Sequence, residues 1–144
     1  MRLIALAAVL SACGGEPDTD TPETATEVEA MAETSAPTLE GLWRVTALRE
    51  RSFEPSETAT IAFSPETGRV AGAAFCNRYA ASYELSGDVL SFGPAVGTKR
   101  GCAPDLMALE RTYLEALSKI DAVAIDGDSI SLIANGAPLI RATR

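Results

Sequence analysis

Three cysteines and the absence of histidine limit the chemistry that this chain can perform. Without histidine, a Ser-His-Asp triad, a Cys-His dyad and a histidine-ligated metal site are excluded. The sequence also contains neither a Gly-x-Ser-x-Gly motif nor a phosphate-binding Gly-x-x-x-x-Gly-Lys-Ser/Thr loop. The carboxylates Asp126 and Asp128 lie in a predicted turn, where we expect them to serve the hairpin. We therefore predict a protein that is not an enzyme, without catalytic residues, metal or cofactor. Carboxylate-only catalysis stays open, but no motif points to it.

Cys13 follows a short apolar segment. Arg2 precedes the apolar run 3–10, and Leu10-Ser11-Ala12-Cys13 resembles the lipobox of bacterial lipoproteins, in which the signal is cut before a cysteine that is then acylated. We predict that residues 1–12 are a lipoprotein signal peptide. They are fewer than the ~15–30 residues of an ordinary secretory signal, and too few to span a membrane. An ordinary secretory signal is the alternative.

The resemblance to lipoproteins implies an anchor and a location. Several acyl chains on Cys13 would hold the protein at a membrane, whereas a single chain binds only marginally. Because Gly14 rather than Asp follows the cysteine, the resemblance implies the outer membrane, with the protein facing the periplasm. The membrane is therefore the first predicted partner.

The net charge of −8 is unevenly distributed along the chain. Residues 14–37 contain seven acidic residues and no Lys or Arg. Their Glu, Thr, Pro and Ala content cannot bury enough apolar surface to offset the entropy of folding, so residues 13–37 are predicted to be an acylated cysteine and a disordered acidic tether. Residues 38–144 contain 13 acidic and 11 basic residues, and we predict one nearly neutral folded domain there. Without a basic stripe, no nucleic-acid partner is expected.

Alternation of apolar and polar residues predicts about eight short strands in this domain. Trp43, Val45 and Ala47 share one strand face, as do Ile61 and Phe63. Turn signals separate the strands, and Asp-Gly and Asn-Gly are typical of type I′ hairpins, in which both central residues need a positive φ. The predicted strands are 42–48, 58–63, 69–74, 80–85, 89–92, 122–125, 129–133 and 138–142.

A single helix is predicted over residues 104–119. Pro104 suits a first helical position, and Asp105 complements the positive end of the helix dipole. An apolar stripe should face the core, while Glu110 and the Glu115–Lys119 pair should face water. The fold class predicted is α+β: a strongly curved, mostly antiparallel half-barrel sheet with the helix packed across its open side. The stripe consists of Leu106, Leu109, Tyr113 and Leu117, widened by Met107 and Leu114.

Several short runs resemble the META-domain family, the HslJ-like proteins. They are Gly41-Leu42-Trp43, the run 72–79 (Gly-Ala-Ala-Phe-Cys-Asn-Arg-Tyr), the run 98–103 (Thr-Lys-Arg-Gly-Cys-Ala) and the run 127–132, together with Leu106-Met107 and Glu110. The resemblance covers 38–144 and implies an envelope lipoprotein linked to stress or antibiotic tolerance, without established catalytic residues. Phe75 departs from the pattern, because the family commonly has Gly before the cysteine. Since Phe lacks the backbone freedom of Gly, we expect a turn of different shape here.

With Cys13 acylated, Cys76 and Cys102 remain in an oxidising compartment. We hypothesise a disulfide between them that ties a strand-to-strand loop to the start of the helix and stabilises the fold by roughly 3–4 kcal/mol. A redox-active pair is the alternative, although the sequence has no Cys-x-x-Cys motif.

Two interpretations stay open for the polar residues beside these cysteines. Asn77, Arg78 and Tyr79 could form a recognition surface. Alternatively, Asn77 could hold a turn, Tyr79 could pack, and Arg78 could be solvated or pair with an acid. Lys99 and Arg100 could contact phosphate or lipid headgroups, or simply form a solvated loop. The function predicted is a monomeric, tethered interaction module that supports envelope integrity, with an unknown envelope protein or lipid as partner. The alternative is a pilotin-like carrier of lipid or acyl chains.

Overall fold

The computed structural model describes residues 38–54 and 58–144. This part contains ten strands and one helix. The predicted signal peptide, tether and lipidated Cys13 lie outside the described residues. The elements in chain order are β1 (Gly41–Leu48), β2 (Arg51–Ser52), β3 (Thr60–Ser64), β4 (Arg69–Ala74), β5 (Asn77–Ser86), β6 (Val89–Phe92), β7 (Val96–Gly97), α1 (Pro104–Leu117), β8 (Ala122–Asp126), β9 (Ser129–Ala134) and β10 (Ala137–Thr143).

Eight of these strands close into an antiparallel barrel in the order β1-β3-β4-β5-β6-β8-β9-β10. The closing contact joins the first and last strands, with Arg44 opposite Thr143 and Leu48 opposite Ile140. The prediction of an open half-barrel is therefore wrong in this respect, because β10 returns to pair with β1. The short strands β2 and β7 pair with β1 and β5, respectively.

Large apolar side chains fill the interior of the barrel. Ile61 and Phe63 point inward as predicted. The prediction that Ala47 of β1 points inward is wrong. A register shift after Val45 places Leu48 in the core instead. The largest fully buried side chains are those of Trp43, Tyr113, Ile61, Leu90, Ile130, Leu132, Ile140 and Val70.

The hairpin turns follow their sequence signals in part. Asn135 and Gly136 both have positive φ values, 52° and 77°, which confirms the type I′ prediction. In the β8–β9 hairpin, Asp126 pairs with Ser129. Of the two residues between them, only Gly127 has a positive φ, so the type I′ prediction is wrong here.

The narrowest junction of the barrel lies between β6 and β8. Its ladder contains one residue pair, Val89 with Ala122. Two backbone bonds flank that pair: the Leu90 N–H donates to the Asp121 carbonyl at 3.2 Å, and the Val123 N–H donates to the Asp88 carbonyl at 2.8 Å. The helix α1 precedes β8 in the chain, and its apolar side chains pack into the core shared by both strands.

The helix ends at Leu117, two residues before the predicted end. Tyr113, Ala116 and Leu117 are its buried side chains, whereas Met107 is 41% exposed and does not widen the apolar stripe. Within the described ranges, no helix has the length and apolar character needed to cross a membrane.

The predicted Glu115–Lys119 ion pair is present, with 2.5 Å between Oε1 and Nζ. The hydrogen bond and charge of Lys119 lower the pKa of the Glu115 carboxyl.

Candidate functional site

The turn between β4 and β5 forms the centre of the site. Ala74 pairs with Asn77, which leaves Phe75 and Cys76 as the turn residues. The Cys76 N–H donates to the Ala74 carbonyl at 2.8 Å across Phe75, whose φ is +64°. A three-residue turn with positive φ at its centre is the rarer and strained form of the γ-turn.

Phe75 therefore adopts a positive φ, which glycine reaches at less cost. Whether the turn differs in shape from that of the family stays a prediction. The Phe75 ring lies 5.0 Å from the ring of Phe53 and 6.1 Å from that of Tyr113, measured between centroids. Its N–H donates to the Thr58 carbonyl at 2.9 Å. These contacts offset a backbone cost of roughly 1–2 kcal/mol.

Cys76 and Cys102 form the disulfide that the sequence analysis hypothesised. Cys102 lies two residues before Pro104, so the bond ties the β4–β5 turn to the start of α1. The cysteines are 26 positions apart in the chain. For a loop of this length, the chain-entropy relation gives a stabilisation of about 3.5 kcal/mol.

Asn77 supplies a second connection at the same corner, the place where the β4–β5 turn meets the segment that leads into α1. Its side chain is buried, and its Oδ1 accepts hydrogen bonds from the Arg100 N–H at 2.7 Å and from the Thr98 hydroxyl at 3.0 Å. Its Nδ2 donates to the Arg100 carbonyl at 3.3 Å. One amide thus satisfies both backbone groups of Arg100 and fixes the segment that leads into the helix.

Glu110 completes this connection from the helix side. Its Oε2 accepts hydrogen bonds from the Asn77 N–H at 3.0 Å and from Asn77 Nδ2 at 3.1 Å. The prediction that Glu110 faces water is therefore wrong. A signal was present in the sequence: Glu110 follows Leu106 by four residues and precedes Tyr113 by three, which places all three on one helix face. The sequence pattern assigned no site role to Thr98 or Glu110, although both belong to the residues that carry the family resemblance.

A chain of hydroxyl groups lies beneath this corner. The Tyr79 hydroxyl donates to the Thr60 carbonyl at 3.1 Å and lies 2.8 Å from the Tyr113 hydroxyl. Since the Tyr79 proton is engaged by Thr60, Tyr113 is the donor of the second bond. Burial raises the pKa of both tyrosines well above the usual value of 10, so both stay neutral at physiological pH.

The candidate recognition residues divide by exposure. Asn77 and Tyr79 are buried, so the interpretation in which they form a recognition surface does not hold. Arg78, Lys99 and Arg100 are exposed, and within 38–54 and 58–144 none of the three forms an ion pair. The Arg100 guanidinium donates to the Cys76 carbonyl at 3.2 Å, and the other two side chains remain in solvent.

The polar groups of this corner are used within the fold. Among the described residues, every buried side-chain nitrogen and oxygen has a hydrogen-bond partner. The same part of the chain places no group of three or more Cys, Asp or Glu side chains where a metal ion could bind. The site thus joins the barrel to the helix.

Known proteins place this architecture in a family. The model of the META domain matches residues 36–144. The chain is similar to a protein from Burkholderia xenovorans solved by NMR, with 23% identity, a TM-score of 0.61 and coverage of 96% of this chain and 98% of that one. A second NMR structure has 20% identity, a TM-score of 0.57 and coverage of 74% and 93%.

A DUF4847 family protein from Bacteroides vulgatus ATCC 8482, solved by crystallography, has 13% identity, a TM-score of 0.55 and coverage of 72% and 92%. At these identities the solved structures show the fold alone. No curated protein matches the chain. Because the family model spans residues 36–144, most of the sequence, the chain belongs to the META-domain family.

Proposed function

We propose that this protein is a non-enzymatic lipoprotein of the bacterial outer membrane, anchored through Cys13 and facing the periplasm. Its folded domain acts as an interaction module that supports envelope integrity under stress. The observation that carries the proposal is the use of the polar residues around Cys76. They hold the helix on the barrel through hydrogen bonds within the fold, and every buried side-chain nitrogen and oxygen of the described residues has a partner.

Two further observations support the location. A disulfide is expected to form and persist in an oxidising compartment such as the periplasm, and Cys76 pairs with Cys102. The Leu10-Ser11-Ala12-Cys13 run resembles a lipobox, and the acidic residues 14–37 would separate the domain from the membrane surface by like-charge extension.

The alternative function, a carrier of lipid or acyl chains, has less support. A carrier of this kind would enclose its ligand in the barrel. Trp43, Tyr113 and Leu90 instead fill the interior of the described part, each with an exposed fraction of 0%. An eight-stranded barrel has an interior just wide enough for side chains or for one small ligand.

The proposal is tested by deleting the gene and measuring uptake of N-phenylnaphthylamine, a dye that fluoresces after crossing a damaged outer membrane. The strain is complemented with the native protein or with a Cys13→Ser variant carrying an ordinary secretory signal. We expect higher uptake in the deletion strain under detergent stress, and restoration by the native protein alone.

Metabolic labelling with palmitate provides the chemical control, since the native protein should be labelled and the Cys13→Ser variant should not. Unchanged dye uptake on deletion would contradict the role in envelope integrity. Full restoration by the unanchored variant would contradict the need for the tether.

A further inference from the structure

The segment between the barrel and the helix leaves one strand edge open. Residues 94–101 are all exposed. Within this segment β7 pairs with β5 through Gly97 opposite Tyr79 and Val96 opposite Ala80. In the part of the chain that the structure describes, β7 has no partner on its other side.

The backbone groups on that side can be assigned from the hydrogen-bond pattern. The Thr98 N–H donates to the Arg78 carbonyl at 3.0 Å and therefore points toward β5. Because neighbouring residues of a strand direct their backbone groups to opposite sides, the N–H and C=O of Gly97 point outward. The same alternation gives Lys99 an outward orientation, since the Arg100 N–H on its other side donates to Asn77 of β5. An unpaired strand edge of this kind is a template for another strand.

An apolar groove adjoins the N-terminal end of this edge. It has a volume of about 250 Å³ and opens to solvent between Ala95 and the second half of α1. Val96, next to it, is 65% exposed. A groove beside a free edge can select the side chain that an added strand presents, while backbone hydrogen bonds provide the affinity. The groove is lined by Ala81, Phe92, Pro94, Ala95, Leu114 and Leu117.

Cations mark the other end of the edge. Lys99 and Arg100 follow β7, and Arg78 lies opposite Thr98 in β5. None of the three forms an ion pair within the described ranges. Lys99 is four residues from Ala95, which corresponds to ~13 Å along an extended strand. The surface is thus apolar at one end and positive at the other.

We propose that the outer edge of β7 is a docking site for an extended peptide segment of an envelope protein. The segment adds a strand to β7, places an apolar side chain in the groove and places carboxylates, four to five residues away, beside Lys99 and Arg100. This inference rests on the proposed function as an interaction module and names the class of its partner.

The test uses the isolated protein with its disulfide intact and three synthetic peptides. The first is acetyl-Leu-Thr-Val-Thr-Glu-Glu-amide, the second has Lys-Lys in place of Glu-Glu, and the third is the first peptide with its valine N-methylated. Binding is followed by NMR shifts of backbone amides and by hydrogen exchange. We expect the first peptide to shift Ala95, Gly97 and Leu114 and to slow exchange at Gly97.

Affinity should fall about tenfold on N-methylation, because a backbone hydrogen bond is lost, and severalfold for the Lys-Lys peptide, because like charges meet. Ala95→Trp should weaken binding by filling the groove that Ala95 lines, whereas Ala95→Ser should not. No shift at Gly97 with millimolar first peptide overturns the proposal. Equal binding of all three peptides also overturns it.

Vesicles of phosphatidylglycerol form a further arm. If they shift Arg78, Lys99 and Arg100 while the first peptide leaves Gly97 unchanged, the surface binds lipid headgroups and the docking proposal is wrong. Complementation of the deletion strain distinguishes failure of the docking proposal from failure of the proposed function. If Ala95→Trp restores the permeability barrier as well as Ala95→Ser does, the docking site is refuted while the module function stands.

Discussion

The conformation of Phe75 leads to a prediction in which glycine is a better replacement than alanine. Truncating a fully buried Phe to Ala costs ~3–5 kcal/mol. The Phe75 ring is half-buried against Phe53 and Tyr113, so we expect Phe75→Ala to cost about 2 kcal/mol. Phe75→Gly loses the same ring contacts but also releases the backbone cost of φ +64°, which is roughly 1–2 kcal/mol. The extra chain entropy of glycine takes back ~0.5–1 kcal/mol, so the net release is about 1 kcal/mol. The net cost of Phe75→Gly should therefore be about 1 kcal/mol.

The assay is urea unfolding followed through the fluorescence of Trp43, the single tryptophan of the chain. Ala71→Gly in β4 is the matched control: Ala71 is exposed and has no positive φ, so glycine there should be destabilising by ~0.5–1 kcal/mol. If Phe75→Gly is at least as unstable as Phe75→Ala, the strain assigned to this turn is refuted.

Three further predictions concern the rest of the fold. The double variant Cys76→Ser/Cys102→Ser should lower the free energy of unfolding by about 3.5 kcal/mol in the same urea assay, and a loss below ~1 kcal/mol would contradict the loop-closure reasoning. The Arg144 guanidinium lies 4.4 Å above the Trp43 ring, so Arg144→Ala should cost ~0.5–1 kcal/mol and change the emission of Trp43, whereas unchanged emission would count against the contact. Because burial raises the pKa of Tyr113 above the usual 10, the folded state binds this proton more tightly, and stability should fall as pH rises above about 10. In urea unfolding from pH 8 upward, Tyr113→Phe should reduce that fall, and an equal pH dependence would refute the assignment.

Local sequence signals predicted most strands and their inward faces. Alternation identified Ile61 and Phe63, and Asn135-Gly136 identified its hairpin. The bulge in β1 turns Leu48 rather than Ala47 toward the core. The sequence does not predict this bulge, because neither Ala nor Leu is typical of one. Closure of the barrel depends on pairing residues almost a hundred positions apart, which no local pattern specifies.

The sequence predicted the disulfide of the candidate site but not its hydrogen bonds. Cys76 and Cys102 could be paired because Cys13 was assigned to acylation and an oxidising compartment was expected. The contact between Asn77 and Glu110 spans 33 positions and required the register of the helix against the barrel. The left-handed φ of Phe75 arises from packing against Phe53 and Tyr113, which overrides the preference of the isolated residue.

Asn77 and Glu110 hold the helix on the barrel through their hydrogen bonds. A double-mutant cycle with Asn77→Ala and Glu110→Ala, measured by urea unfolding, tests this role directly. We predict a coupling energy of about 1–3 kcal/mol, since Asn77 Nδ2 donates to both carboxylate oxygens of Glu110, at 3.3 Å and 3.1 Å, and Asn77→Ala removes both contacts. A parallel cycle between Asn77 and the exposed Glu115 should be additive to within ~0.5 kcal/mol. A coupling energy near zero for Asn77 and Glu110 would contradict the structural role assigned to this site.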